Sequence, residues 1–240
     1  MEIVGEARSI FALTGAGIST PSGIPDFRGQ GGLYQRISPQ VFDIGRFRED
    51  PSFFYRHVGP MLKTILEARP NAAHYFLSEL EKMGKLILVA TQNIDGLHQK
   101  AGSRRVVELH GTLERAHCLD CGREYGREDY AGAALEGRVP RCSCGGPIKP
   151  DVVFFGEELP LGAFHKAVDA ASRADLCLVM GSSLTVSPAS SLPQYTLSHG
   201  GRLVIINLGE TTLDSHAHRK FQVPVETISS EALSLLRKDA

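Results

Sequence analysis

Four cysteines offer the plainest chemistry in this chain. Cys118-Leu119-Asp120-Cys121 is followed after twenty residues by Cys142-Ser143-Cys144. Two close pairs of thiolates match the four ligands of a tetrahedral zinc ion. Gly122, Gly145 and Gly146 supply the turns that a zinc knuckle needs, although the second pair is one residue shorter than usual. Four buried free thiols, or a redox pair, are the alternatives. A complete set of four ligands leaves no open position for substrate, so such a zinc is structural. The fifth cysteine, Cys177, lies inside an apolar run and reads as a small buried hydrophobe.

A second constellation is a glycine loop, Gly15-Ala16-Gly17-Ile18-Ser19-Thr20, directly after an apolar run. Glycines there let a backbone approach a pyrophosphate. Thr20 stands where a third glycine would complete the usual dinucleotide fingerprint, and no strand-end acid follows about twenty residues later. A plain tight turn is the competing explanation. The next stretch, Pro21 to Gly29, adds Phe27, which can cover a flat ring, and Arg28, which can meet a phosphate or carboxylate. Otherwise Phe27 is a core plug and Arg28 a surface charge.

The third constellation is Asn93, Asp95 and His110. A lone histidine is more often structural than catalytic. His110 gains weight because a glycine follows it and because Asn93 and Asp95 end a neighbouring apolar run. An imidazole near its ordinary pKa can take a proton from a hydroxyl at neutral pH.

The elements that must carry these residues are legible as well. Ser9–Leu13, Lys85–Ala90, Val106–Leu109, Asp175–Met180 and Arg202–Ile206 are short apolar runs rich in β-branched residues. They lack polar alternation, as expected of parallel strands buried on both faces. Helical spacing lies between them. Asn71 caps a helix that Gly84 ends, a second helix spans Leu161–Ser172, and a closing one runs from Ser230 to Arg237. The fold class is therefore α/β, a Rossmann-like parallel sheet with helices on both faces. Glycine and polar residues gather after the strands, including Gln92, Gly181-Ser182-Ser183 and Asn207, where open sheets of this kind bind ligands. Two stretches interrupt the rhythm and suggest a small lobe. The predicted division is 1–30, 72–111 and 150–240 for the nucleotide-binding domain, 31–71 for a helical insertion and 112–149 for a zinc-binding module.

Composition narrows the function classes. The 240 residues carry 26 Lys and Arg against 27 Asp and Glu, so no global basic field exists to hold a nucleic-acid backbone or an anionic membrane. Between Thr112 and Pro150 six basic residues face six acidic ones, which argues against direct nucleic-acid binding by the zinc module. No segment approaches the roughly 18 apolar residues of a membrane span. The first residues lack the basic and apolar regions of a signal peptide, so a cytoplasmic location is expected.

Taken in order, Gly15-Ala16-Gly17-Ile18-Ser19, Gly23-Ile24-Pro25-Asp26-Phe27-Arg28, Thr91-Gln92-Asn93-Ile94-Asp95-Gly96-Leu97-His98 and His110-Gly111 resemble the motif series of the sirtuins. These are NAD-dependent protein lysine deacylases. The four cysteines, Pro150–Glu157, Gly181-Ser182-Ser183 and Asn207 continue the series, so the resemblance runs from about residue 6 to 226, in the compact bacterial and archaeal form. It implies a Rossmann-like domain and a small lobe of zinc module and helices, with NAD and an acetylated protein or peptide in the cleft between them. Sirtuins resemble a variant of the dinucleotide-binding fold, which accounts for the incomplete fingerprint, and NAD is consumed there as a co-substrate.

The resemblance also assigns roles. Gly15, Ala16, Gly17, Thr20, Phe27, Arg28, Gln92, Gly181, Ser182, Ser183, Asn207 and Val225 would contact NAD, and Ile94 and Asp95 would hold the nicotinamide carboxamide. Asn93 would position the ribose and a water, and His110 would be the general base. Val152, Val153, Phe154 and Gly156 would pair with an extended peptide by strand addition. Cys118, Cys121, Cys142 and Cys144 would bind zinc. The implied reaction moves the acetyl group from lysine to ADP-ribose, releasing nicotinamide and O-acetyl-ADP-ribose, and longer acyl groups are possible. Sirtuins that prefer succinyl or malonyl groups carry a Tyr and an Arg three residues apart. Here Tyr55 is followed by Val58 at the Arg position, with Arg56 nearby, which disfavours those acids. ADP-ribosyl transfer onto protein, and a non-catalytic NAD-sensing or zinc-ribbon module, stand as alternatives.

Overall fold

The computed structural model describes residues 2–27, 29 and 31–238. Among these, the strands in chain order are β1 (Ile10–Thr14), β2 (Leu86–Thr91), β3 (Val106–Glu108), β4 (Gly111–Cys118), β5 (Glu124–Gly126), β6 (Ile148–Val152), β7 (Leu176–Met180), β8 (Arg202–Ile206) and β9 (Arg219–Phe221). The α-helices are α1 (Glu2–Glu6), α2 (Ile44–Glu49), α3 (Pro51–Glu67), α4 (Ala72–Lys82), α5 (Leu97–Lys100), α6 (Arg127–Leu135), α7 (Leu161–Arg173), α8 (Leu192–Ser198) and α9 (Val225–Lys238).

Six strands form a parallel sheet in the order β3-β2-β1-β7-β8-β9. The five expected strands are all present. The sixth, β9, is a three-residue edge strand of largely exposed residues, and no apolar run marks it. Thr14 lies level with Thr91 on one side and Met180 on the other, so β1, β2 and β7 end together. The chain leaves β1 toward β2 and later returns to the opposite side as β7. That reversal opens a crevice at the carboxyl ends of β1 and β7, where open α/β sheets take their ligands.

Local chemistry accounts for the flanking helices. The Asn71 side chain accepts from the Ala73 N–H at 2.9 Å and starts α4. Gly84, at φ +75°, turns the chain out of it. α7 matches the predicted span to one residue. α9 begins at Val225, five residues before the expected Ser230, because Val225 and Ile228 extend the buried stripe through Ala232 and Leu236. One core packs α4 and α9 against the sheet, and α7 and α8 cover the other face.

The two interrupting stretches share a third core. α2, α3 and α6 pack with a small antiparallel sheet, β5-β4-β6, which the sequence did not announce. Tyr55 and Tyr130 are fully buried there, and their hydroxyls donate to the carbonyls of Ile148 and Leu113, both at 2.6 Å. Each ring thus fills the core without an orphaned polar atom. β4 starts immediately after His110, and β6 ends where Val152 pairs with Gly111. The chain therefore enters and leaves the small sheet at one end, beside His110.

Candidate active site

The glycine loop and the loop after β7 touch at the crevice. Gly17 donates its N–H to the Gly181 carbonyl at 2.9 Å. A Cβ on Gly181, whose φ is +65°, would come 2.2 Å from the Ile18 nitrogen, and one on Gly15 would come 2.8 Å from the Gly181 oxygen. These glycines are thus required first for contact between the two loops, and not only for approach to a phosphate. Around them the main-chain N–H groups of Ala16, Thr20, Ser182 and Ser183 have no hydrogen-bond partner among the described residues. Unpaired N–H donors beside a sheet reversal form a donor set that suits a pyrophosphate. Gln92 fastens the neighbouring strand end, donating from Nε2 to the Ser182 hydroxyl at 2.8 Å.

Behind the glycine loop lies a buried polar network. The Ser19 hydroxyl donates to Asp95 Oδ2 at 2.7 Å, and the Leu97 N–H donates to Asp95 Oδ1 at 2.9 Å. Asn93 Nδ2 reaches Ser19 Oγ at 3.0 Å and the Gly15 carbonyl at 3.2 Å. The strand end holding Asn93 and Asp95 is therefore bonded to the glycine loop. Ile94, between them, is half-buried and packs against the small-lobe core. Deeper still, the His74 and His98 rings lie 4.9 Å apart. His74 Nδ1 accepts the Asn71 N–H at 3.3 Å, and His98 Nε2 meets Thr14 Oγ1 at 2.9 Å. Burial pushes the pKa of His74 down to about 4, against a smaller upward pull from Asp95, and holds His98 well below 6.5.

His110 stands at the end of β3, across the crevice. Its Nδ1 lies 2.9 Å from the Gln92 carbonyl. A carbonyl only accepts, so Nδ1 carries the proton and Nε2 keeps its lone pair. Burial lowers the His110 pKa, and the bond to Gln92 raises it by less. The result is a neutral imidazole of fixed tautomer, suited to remove a proton from a hydroxyl at neutral pH.

The segment after β6 passes beside this histidine. The Val153 N–H donates to the His110 carbonyl at 2.9 Å. The Val152 carbonyl accepts from Lys149 Nζ at 2.8 Å, and the Phe154 N–H donates to Glu157 at 2.8 Å. Of the four predicted peptide contacts, Val152 and Phe154 thus have these groups engaged and their side chains buried. The Val153 carbonyl and the main chain of Gly156 have no partner among the described residues.

Phe27 is half-buried, with its ring 5.3 Å from Tyr34 and 6.2 Å from Phe42, at the edge of the small-lobe core. Arg28 lies outside the described residues. Asn207, after β8, donates from Nδ2 to the Gly209 carbonyl at 3.0 Å. The Val225 side chain is buried in the sheet core, so it can meet a ligand only through its main chain. Sequence reasoning gave no role to Ser19, Lys149 or Glu157. The buried hydroxyl of the first and the buried ammonium of the second are visible only in three dimensions.

Cys118, Cys121, Cys142 and Cys144 bring their sulfurs within 4.8 Å of one another. The Cys118–Cys144 and Cys121–Cys142 separations are 3.5 and 3.6 Å. Sulfurs at about 2.3 Å from one tetrahedral ion stand about 3.8 Å apart, so the cluster has the size of a four-thiolate zinc site. Cys177 is fully buried in the main sheet, as expected.

A family model described as "Sir2 family" matches residues 15–188. An NAD-dependent protein deacetylase of Thermotoga maritima is 48% identical over 226 residues, covering 94% of this chain and 92% of that protein. A solved structure of Sir2 with a p53 peptide and NAD+ matches with a TM-score of 0.90 at 45% identity, over 98% of this chain and 95% of that one. Another, Sir2Tm bound to a propionylated peptide, matches with a TM-score of 0.89 at 44% identity and the same coverage.

Proposed function

The chain belongs to the Sir2 family, and from that premise we propose that it removes acetyl groups from protein lysines at the expense of NAD. The acetyl group passes to ADP-ribose, and nicotinamide and O-acetyl-ADP-ribose are released. The observation that carries this reading is the fixed tautomer of His110 beside a peptide-binding edge left unpaired among the described residues. A non-catalytic NAD sensor has no use for a neutral imidazole held in that place.

Bound NAD supplies the ribose that receives the acyl group and the nicotinamide that departs. The N–H groups of Ala16, Thr20, Ser182 and Ser183 hold its phosphates, with Arg28 as a further charge. Gly15, Gly17, Gly181, Gln92, Asn207 and the main chain of Val225 complete its cradle. Asp95, already held by Ser19 and Leu97, orients the carboxamide together with Ile94. Asn93 orients the ribose. His110 takes a proton at Nε2 from a ribose hydroxyl, and Phe27 keeps water from the reacting carbon, which would otherwise waste NAD by hydrolysis. Cys118, Cys121, Cys142 and Cys144 would hold zinc, which supplies cross-linking of the small sheet and no acid–base chemistry.

The acetylated partner lies extended along Val153 and Gly156, a mode with little sequence demand. Neutral acyl groups are preferred. Val58 lines a small apolar cavity with Tyr55, Ile94, Leu113 and Val152. Arg56 is turned away, with its guanidinium 2.6 Å from Ser52 and 3.4 Å from Asp50. Propionyl and longer chains remain within the proposed range. In the division we favour, residues 1–30, 72–111 and 150–240 bind the dinucleotide, and 31–71 and 112–149 build the small lobe. Among the described residues no helix is long and apolar enough to cross a membrane. We assign the protein to the cytoplasm, where its five free cysteines would stay reduced. Neither nucleic acid nor membrane is a proposed partner.

The test is an acetyl-lysine peptide incubated with the purified protein, with and without NAD, followed by peptide mass. Loss of acetyl only with NAD supports the reading. NAD consumption with radiolabel moving onto protein would favour ADP-ribosyl transfer instead.

A further inference from the structure

Lys149 is 2% exposed, an unusual position for an ammonium. Its Nζ donates to the Val152 carbonyl at 2.8 Å and the Pro150 carbonyl at 3.3 Å. It stands 2.9 Å from Glu157 Oε2 and 4.2 Å from the centroid of the Phe154 ring. All these partners lie in the next eight residues of the chain, so the segment folds around the charge. Glu157 closes the same turn a second time. Its carboxylate accepts the Phe154 N–H at 2.8 Å, and its own N–H donates to the Phe154 carbonyl at 3.0 Å.

The flanks are pinned as well. Val153 donates to the His110 carbonyl at 2.9 Å, Phe155 donates to Phe42 at 2.7 Å, and Ile44 donates back to the Phe155 carbonyl at 3.1 Å. After these bonds the Val153 carbonyl and the main-chain groups of Gly156 remain unpaired among the described residues. An apolar pair of equal volume could fill the same space. It could not gather two carbonyls and a main-chain N–H into one turn.

We propose that Lys149 and Glu157 are positioning residues for the peptide substrate. The pair, a buried ammonium and a half-buried carboxylate, engages the main chain of Pro150, Val152 and Phe154, and so presents Val153 and Gly156 as the edge to which the peptide adds. The inference rests on the deacetylase reading above and names residues that act through the peptide edge, without touching NAD.

Steady-state kinetics with two substrates test it. One is an extended acetyl-lysine peptide, and the other is a single acetyl-lysine blocked at both ends, which has no flanking strand to add. Lys149→Met and Glu157→Gln should raise the KM of the extended peptide about five- to tenfold, near the worth of one main-chain hydrogen bond. The KM for NAD and the turnover of the single residue should stay within about twofold. Lys149→Arg, which keeps the charge, should recover part of the lost peptide affinity. If Lys149→Met does not fold, Glu157→Gln, nearly identical in volume, carries the comparison. Equal losses on both substrates, or an unchanged KM for the extended peptide in a folded variant, would overturn the proposal. Wild-type protein that turns over neither substrate would overturn the deacetylase reading instead.

Discussion

The Val153 N–H donates to the His110 carbonyl at 2.9 Å, so the proposed peptide-binding segment is bonded directly to the proposed general base. The same histidine donates from its ring to the Gln92 carbonyl at 2.9 Å, on the strand end that carries Asn93 and Asp95. One residue therefore ties the peptide edge to the dinucleotide side of the crevice.

His110→Ala should lower kcat by about 10²–10⁴-fold while leaving the circular dichroism spectrum and the Tm close to wild type, the usual loss on removing a general base. In the wild type the working form is the neutral ring. Burial disfavours the imidazolium, so the pKa lies below 6.5. Protonation on the acid side removes the base, and the acid limb of the kcat/KM profile should fall below pH 6.5. A limb centred above 7 would contradict the assigned environment.

Gly111→Ala should damage both stability and activity. The residue sits at φ +77°, and a Cβ there would meet the Asp151 carbonyl at 1.9 Å. The left-handed conformation alone costs an alanine about 1–2 kcal/mol, and the clash adds to it. Relief of the clash must separate β4 from the segment at Val152 and pull on His110. Thermal melts and turnover of the same sample check this. A Tm drop with full activity would separate the two effects.

Succinyl-lysine should be a poor substrate, with kcat/KM at least about a hundredfold below that of acetyl-lysine, because Val58 offers its carboxylate no partner and burial of an unpaired charge is costly. Comparable rates for the two peptides would show that Arg56 leaves Ser52 and Asp50 to reach the acyl group.

Acid should destabilise the fold through the histidines behind Asp95. Above pH 6.5 the folded and unfolded chains both hold His74 neutral, and the full stability is present. The folded pKa is depressed to about 4 by burial. Between pH 6.5 and about 4 the unfolded chain binds protons that the fold refuses, so stability falls as pH falls. Chemical denaturation across this window should show the decline. His74→Gln should make it shallower, with His98 still contributing, and an unaltered slope in that variant would remove His74 from the account.

Much of this architecture was legible in the sequence, for identifiable reasons. Five strands declared themselves because parallel strands buried on both faces read as unbroken apolar runs. The cysteine spacing declared a metal site because ligand number and geometry are local requirements. β9 is illegible because Arg219 to Phe221 forms no apolar run, and the start of α9 because Val225 and Ile228 stand among polar residues ahead of the leucine-rich stripe. The small sheet also went unseen, since its pairing of Gly111 with Val152 joins residues far apart in the chain. At the site, the residue types of Asn93, Asp95 and His110 were informative alone. The bonds of Ser19, Lys149 and Glu157, and the contact between the Gly15 and Gly181 loops, depend on tertiary approach that spacing does not encode.

The most direct test of the central claim is the stoichiometry of the wild-type reaction on an acetyl-lysine peptide, with all products resolved by mass. One nicotinamide and one O-acetyl-ADP-ribose should appear for each acetyl group lost, and none of the three changes should occur without NAD. Acetate released with NAD left intact would contradict the account.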